Sequence, residues 1–413
     1  MALKLDNAHK SIEGEDMRKL VNKVRKAIKN PSLVKRYYRM KRSKYLYTSL
    51  HYLTRGRIQT PPPRIAIAVN SVCNARCVMC DVGQHQKDMA FYKKIITGEN
   101  LSIDVLKKLI DQVKRFSPHI MVNTVEPLLY KNLLEFIDYT VANDLLCYVG
   151  TNGLLLDRLE NELVDKGLSR LVVSIDGPPS VHNQIRGVSN IFEKAYKGIE
   201  LIIDRKRKLN RNQPKIQVAY AISNYNYHCL EDTADIFNDL GVDVFSFSHL
   251  NFIDDWMANA HNNEYEHAFG EVSTSCISAV DPTKVDVNIL TEQIKKVKSK
   301  YPSFAVFYPD LSTLEEVKKY YHSHEFMSAI RCDIAWTNIQ ILSNGNVIPG
   351  SRCFNLIMGN IYEENFLNIW NGASYQAFRE NLRKYGATPA CARCCGLPTI
   401  SNYNKSEKQV HER

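Results

Sequence analysis

The chain has no continuous apolar run that approaches a membrane span, no internal repeat of fixed period and no low-complexity tract. Together with the composition, these absences exclude a membrane-embedded bundle, a collagen-like repeat and a disordered chain. The opening MALKLDNAHK also lacks the apolar run of a signal peptide. That predicts a cytoplasmic protein and makes a disulfide framework a poor explanation for 11 cysteines. Acidic residues are scarce in one place: residues 1–64 hold 17 Lys and Arg against 4 Asp and Glu. The formal net charge of +10 therefore belongs to that segment, and the rest of the chain carries −3. Any argument for a polyanionic partner is confined to the N-terminus. What is present, 413 residues with 44% hydrophobic and 24% charged, suits a soluble chain with two to three domains' worth of core.

The basic segment reads as helical, with Leu20, Val24 and Ile28 at helical spacing, Asn30-Pro31 as a break, and then Tyr37, Tyr38, Tyr45, Tyr47 and Tyr52 interleaved with Lys and Arg. Pro61-Pro62-Pro63 closes it as a stiff linker. A regular alternation follows. Strand-like runs at 64–70, 119–123, 145–150, 170–176, 215–222 and 242–248 are separated by amphipathic stretches near 102–116, 131–143, 157–167, 191–208 and 227–240. This predicts an α/β fold of six βα units with right-handed crossovers and a parallel sheet, a partial (β/α)6 barrel or an open doubly wound sheet. In either, chemistry sits at the C-terminal ends of the strands. Asn344-Gly345 between two β-like runs predicts a hairpin flanked by cysteines. The expected organisation is a basic Tyr-rich helical segment and linker (1–63), the βα repeat (64–255), a connecting region (256–325), a small Cys-rich α+β domain (326–400) and a polar tail (401–413).

Ser71-Val72-Cys73-Asn74-Ala75-Arg76-Cys77-Val78-Met79-Cys80 begins just past the first strand. Its C-x3-C-x2-C spacing supplies three thiolates, one fewer than a structural zinc site needs. Three ligands suit a cubane of four irons in which one iron stays open to a substrate or cofactor. The alternatives are a zinc knuckle with a fourth ligand from elsewhere and three incidental thiols.

The CNARCVMC loop after a first strand resembles the radical S-adenosylmethionine (radical SAM) superfamily, over roughly residues 64–250. The resemblance implies that a 4Fe–4S cluster on Cys73, Cys77 and Cys80 chelates S-adenosylmethionine at its open iron. One electron then cleaves the sulfonium to methionine and a 5′-deoxyadenosyl radical that takes a hydrogen atom from a substrate. The family's Gly-Gly-Glu-Pro stands here as Thr124-Val125-Glu126-Pro127, which keeps the carboxylate for the cofactor's ammonium group but loses the glycines. Thr151-Asn152-Gly153 resembles the family's TNG turn, and Ser174-Ile175-Asp176-Gly177 with His182 and Arg186-Gly187 is similar to its SIDG…HxxxRG arrangement. The resemblance implies cofactor contacts from Met79 (packing near adenine), Glu126, Asn152, Ser174 (ribose hydroxyls), Asp176 and Arg186 (methionine carboxylate).

Cys332 and Cys353 flank the hairpin, and Cys391-Ala392-Arg393-Cys394-Cys395 follows a stretch, 359–370, that reads as a helix. Four thiolates so arranged can ligate one 4Fe–4S cluster or one zinc ion. The region resembles the SPASM/twitch extension of radical SAM enzymes, which implies an auxiliary 4Fe–4S cluster on Cys332, Cys353, Cys391 and Cys394, with Cys395 as the competing fourth ligand.

The expected function is thus a radical SAM enzyme acting on a peptide or a small-molecule, sugar-type substrate, fed by a flavodoxin or ferredoxin-type electron donor. The alternatives are an RNA-modifying member with the basic N-terminus as its RNA arm, and a non-catalytic iron–sulfur or zinc protein. Residues 1–60 also suit a peripheral membrane contact. No catalytic residue is assigned. His249, Asp254, Asp255, Trp256, His261 and Asn262 gather polar and aromatic groups after the sixth strand, either beside a substrate or as a plain polar loop, and Cys147 reads as a buried apolar residue.

Overall fold

A computed structural model describes residues 31–54, 56–84, 90–277, 280–327, 332–349 and 354–393. Seven parallel strands run in chain order across one sheet: β1 (Arg64–Ile67), β2 (His119–Val122), β3 (Leu146–Thr151), β4 (Arg170–Ser174), β5 (Lys215–Ile222), β6 (Val244–His249) and β7 (Ala305–Tyr308). The six strands read from sequence are all present, and β7 adds a seventh parallel to β6. Helices at Ile103–Val113, Leu133–Ala142, Ile191–Lys208 and Leu230–Leu240 supply the crossovers where the apolar periodicity places them.

The strands do not read as uniformly buried runs. In β5 the residues Ile216, Val218, Tyr220 and Ile222 are buried, while Lys215, Gln217, Ala219 and Ala221 between them are partly open. One face carries the aliphatic and aromatic core under the helices, where each full burial contributes about 1.5–3 kcal/mol. Phe245, Phe247 and Phe307 stack within that core, at 4.4 and 4.8 Å between ring centres. The inner face lines a lumen that small and polar residues leave unfilled.

The hairpin does not form a sheet of its own. β8 (Asn338–Ile341) lies parallel on β1, with Arg64 opposite Asn338 and Ile67 opposite Ile341. β9 (Asn346–Ile348) returns antiparallel through the Asn344-Gly345 turn, where Gly345 takes φ +86°. The stretch expected to be a helix over 359–370 is a short third strand, β10 (Gly359–Asn360), and a helix only at Phe366–Asn371. Gly359 and the Asn360 side chain account for this. Asn360 ties back to Asn344 and Asn346 in the hairpin, which holds the chain extended there.

The basic segment docks as the helix Pro31–Leu53 against the segments that lead into β2 and β3. Arg39 donates to the carbonyls of Lys114 and Asn143 and pairs with Asp144, and Tyr47 packs edge-on against Phe116. Tyr38, Tyr45, Leu46 and Leu53 stay exposed. The proline linker is not free: Pro61 and Pro62 are buried, Trp370 Nε1 donates to the Thr60 carbonyl and Asn371 accepts from the Gln59 amide. Residues 1–30 and 394–413 lie outside the described residues. No helix among the described residues is long and apolar enough to cross a membrane.

Candidate functional site

The C-terminal ends of the strands open into a cavity of about 640 Å³, within the range of about 300–1,000 Å³ for small-molecule sites. Cys73, Cys77, Met79 and Cys80 line it from the loop after β1. Glu126, Asn152, Ser174 and Arg186 line it from the ends of the next three strands and the helix after β4. Of the residues expected from sequence to meet the cofactor, only Asp176 is absent from the wall.

The cysteine loop is held from below. The amides of Arg76 and Val78 donate to the carbonyls of Arg186 and Ile185, so the last turn of the helix Pro179–Arg186 fixes its path. Two glycines make the approach possible. A Cβ on Gly187, at φ +63°, would lie 2.6 Å from the Arg76 carbonyl oxygen, and one on Gly83 would lie 2.6 Å from the Cys77 nitrogen. Both neighbours are backbone and cannot yield. Gly187→Ala is expected to retain the fold but lose most of the iron bound at this loop, read as iron per chain after anaerobic reconstitution.

Arg186 links the loop to the barrel. Its Nη1 donates to Cys77 Sγ at 3.6 Å and its Nη2 pairs with Asp176 Oδ2 at 2.5 Å. Asp176 is fully buried, and its other oxygen accepts from the Ala221 amide. Burial pushes its carboxyl up, and Arg186 draws it back towards the charged form. Asp176 thus positions Arg186 rather than touching the cavity. His182, also fully buried, accepts the Asp176 amide on Nδ1 and closes the motif from behind.

Glu126 is buried, with one oxygen accepting from Thr151 Oγ1 and the Leu128 amide and the other from the Asn152 amide. Burial raises its carboxyl pKa while these donors oppose the shift. A carboxylate has about four acceptor positions, so the three donors leave capacity for a cation in the cavity. Thr124 takes φ +96° where the family pattern has glycine, a strained state for a β-branched residue. Gln340 of β8 donates to its hydroxyl and helps hold it there. Asn152 spends its side chain on the loop, donating to Asn74 Oδ1 at 2.7 Å.

The donor set fits the group that the motif implies. Burial pushes the Cys77 thiol up to about 11, with Arg186 pulling the other way, and a metal that binds it displaces that proton. Among the described residues no three His, Cys, Asp or Glu side chains close on a single metal-ion position. In the C-terminal region Cys332 precedes the short helix Ile334–Thr337 and Cys391 is buried at the end of the turn Pro389–Cys391. Arg393 holds this turn, donating to the carbonyls of Lys319, Tyr320, Ser323 and Glu325. Cys353, Cys394 and Cys395 lie outside the described residues.

The polar cluster after β6 does not reach the cavity. Asp254 caps the helix Asp255–Phe269 and meets His324, Trp256 stacks on His324, His261 bonds to Thr388 and the Gly270 carbonyl, and Asn262 pairs with Val272. His249 is buried, its Nδ1 on Tyr321. Burial pulls its pKa down from 6.5 to about 3. As pH falls below 6.5 the unfolded chain takes a proton that folded His249 refuses, so its stabilising contribution is complete above pH 6.5 and shrinks towards pH 3. The expected slope is up to about 1.4 kcal/mol per pH unit. His249→Gln should flatten it, read from urea unfolding across that window.

Tyr148, Arg170, Gln217, Asn251, Cys276 and Tyr308 also line the cavity and were not singled out as site residues from sequence. Arg170 Nη1 donates to Gln217 Oε1 at 2.9 Å and its guanidinium lies 5.4 Å from the Tyr148 ring centre. The signal was the alternation itself: Tyr148, Arg170 and Gln217 occupy inward positions of their strands. Cys276 is brought in by Asp81, the residue after Cys80, which accepts the Cys276 amide. Cys147 is buried in β3, as expected.

A model of the radical SAM superfamily matches residues 67–237, and one of SPASM, an iron–sulfur cluster-binding domain, matches residues 332–395. The chain is 28% identical over 180 residues to the Fe-coproporphyrin III synthase of Methanosarcina barkeri, which is 43% of this chain and 41% of that protein. It spans 34% to 50% of the length of four such curated relatives. Streptococcus suis SuiB bound to its precursor peptide SuiA shares the fold, with a TM-score of 0.54 and 14% identity over 82% of this chain and 70% of that one. So does anSMEcpe bound to AdoMet and the peptide Cp18Cys, with a TM-score of 0.52 and 16% identity over 85% of this chain and 96% of that one. The cysteine loop at the mouth of the barrel and the cysteine-bearing hairpin beyond it thus each fall within their own family match, and the chain belongs to the radical SAM superfamily, with its 4Fe–4S cluster and S-adenosylmethionine, and carries a C-terminal SPASM domain for an auxiliary iron–sulfur cluster.

Proposed function

We propose that the protein reductively cleaves S-adenosylmethionine and abstracts hydrogen from a peptide or a small-molecule, sugar-type substrate. The observation that carries this reading is a single cavity lined together by Cys73, Cys77 and Cys80, by Glu126 and Arg186, and by the polar groups of Tyr148, Arg170 and Gln217 deeper in the barrel. When bound, the cluster supplies the electron that splits the cofactor into methionine and a 5′-deoxyadenosyl radical, which takes a hydrogen atom from the substrate.

The chain's own residues then hold and orient. Cys73, Cys77 and Cys80 ligate the cluster; Glu126 receives the cofactor's ammonium group on its spare acceptor capacity; Arg186 offers a remaining N–H donor to the carboxylate. Met79 packs beside the adenine, Ser174 faces the ribose hydroxyls, and Asn152 keeps the cysteine loop in place. Asp176 fixes the charge and direction of Arg186. Arg170, Tyr148 and Gln217 bind polar groups of the substrate and keep it below the cofactor. Cys332, Cys353, Cys391 and Cys394 would hold the auxiliary cluster, which would supply an electron acceptor for the substrate radical, and a flavodoxin or ferredoxin-type protein would serve as the electron donor to the first cluster. SuiB and anSMEcpe have been solved with peptides bound, which supports the peptide class of substrate.

Anaerobic incubation with S-adenosylmethionine and dithionite tests the reading. 5′-Deoxyadenosine should form only with reductant present. Formation no greater than in a protein lacking the three loop thiols would remove it.

A further inference from the structure

A second cavity, of about 480 Å³, lies away from the barrel mouth, between the end of the helix Pro31–Leu53 and the helix Ala373–Tyr385. His51 and Arg57 line it from one side, and Gln376, Arg379, Glu380 and Arg383 from the other. The spacing of the last four puts them on one helical face. Three guanidinium groups thus meet a single carboxylate. Neither Arg57 nor Arg383 makes an ion pair among the described residues, and both are exposed.

Arg379 is built into the wall rather than draped over it. It is 1% exposed, donates Nε to the Ala335 carbonyl at 3.0 Å and Nη1 to the Trp370 carbonyl at 2.8 Å, and stacks 4.4 Å from the Trp370 ring centre. Its Nη2 is buried with no hydrogen-bond partner. A buried guanidinium with an unused donor is costly, and Arg383 one turn away adds like-charge repulsion. An oxyanion in the cavity would offset the gathered positive charge, since guanidinium forks match phosphoryl oxygens in geometry and charge.

We propose that this cavity is a binding site for a phosphate-bearing ligand, held by Arg57, Arg379 and Arg383. The volume exceeds that of a bare anion, so the ligand is a phosphate ester whose remaining part extends towards solvent. Two sources share this chemistry: a soluble phosphorylated metabolite, and a phospholipid headgroup presented beside the exposed Leu53 and Leu46 of the adjoining helix. The site is separate from the barrel cavity and does not depend on what is turned over there.

The test compares the reconstituted full-length protein with the double variant Arg57→Gln/Arg383→Gln, which spares the buried Arg379. Inorganic pyrophosphate titrated by calorimetry at constant ionic strength probes the soluble source. Co-sedimentation with phosphatidylglycerol vesicles, against phosphatidylcholine vesicles, probes the headgroup. In either arm the variant should bind roughly tenfold more weakly or worse, as loss of charge-assisted donors requires. Its iron content and 5′-deoxyadenosine formation should match the wild type. Weakened pyrophosphate binding supports a soluble ligand, and weakened vesicle binding supports a lipid. Equal binding by both proteins in both arms, or binding of neither probe by the wild type, overturns the proposal.

Discussion

Asp176→Asn should destabilise the protein by about 3–5 kcal/mol, the cost of leaving a buried charge without its partner. Asp176 is fully buried, its side chain lies 2.5 Å from Arg186, and the Arg186 side chain is only 13% exposed. The amide isostere keeps the shape but leaves the guanidinium uncompensated. The loss should appear as a lower urea midpoint at unchanged slope. It should also displace Arg186 from Cys77, so 5′-deoxyadenosine formation falls together with stability. A double variant, Asp176→Asn with Arg186→Met, removes both charges. It should recover much of the stability and none of the turnover, because the stability term is the unpaired charge while turnover needs the guanidinium itself. A single variant as stable as the wild type would show that the pair does not carry the charge balance of this motif.

Simultaneous replacement of Cys73, Cys77 and Cys80 by alanine should halve the iron bound after anaerobic reconstitution, from about eight to about four per chain. Turnover should disappear. The fold should persist, because Cys73 is exposed, Cys80 is half-buried, and the loop's path is set by backbone bonds to Ile185 and Arg186 rather than by the thiols. Four irons in the wild type would count against the auxiliary cluster on Cys332, Cys353, Cys391 and Cys394. Zinc in place of iron would overturn the chemistry at both centres.

The readable parts of this protein were those written in short-range order. The C-x3-C-x2-C spacing lies within one loop, the βα periodicity within windows of a few turns, and the Asn344-Gly345 turn within two residues. Each is settled by local geometry, so the six strands, the cysteine loop and the hairpin emerged where the sequence placed them. The same holds for Ser174, which ends β4, and Glu126, a few residues past β2, both of which line the cavity; Arg186 joins them from the end of the helix after β4. Asp176 sits in the same motif and yet faces Arg186 and the Ala221 amide. The side chain at such a position can turn towards the lumen or under the sheet, and its neighbours across the sheet make that choice.

The polar residues after β6 show the limit from the other side. Asp254, Trp256, His261 and Asn262 are dense in sequence, but their partners are His324 and Thr388, brought from elsewhere in the chain, and Gly270 and Val272 just past the end of the same helix. Composition cannot separate a polar loop that binds substrate from one that ties elements together, because both need the same donors and acceptors. Tyr148, Arg170, Gln217, Tyr308 and Cys276 come from five separate segments and share a wall only after the sheet has curled.

By itself, the sequence determined the class of chemistry: three thiols at a fixed spacing, the strand that presents them, and the basic charge confined to residues 1–64. Tertiary structure alone decided which polar groups face the reacting space, that β8 continues the sheet beside β1, and that Arg379 and Arg57, far apart in the chain, line one cavity. The division has one physical cause. Spacing within a loop or turn is set by covalent geometry, whereas the direction a side chain faces is set by packing against residues that are distant along the chain.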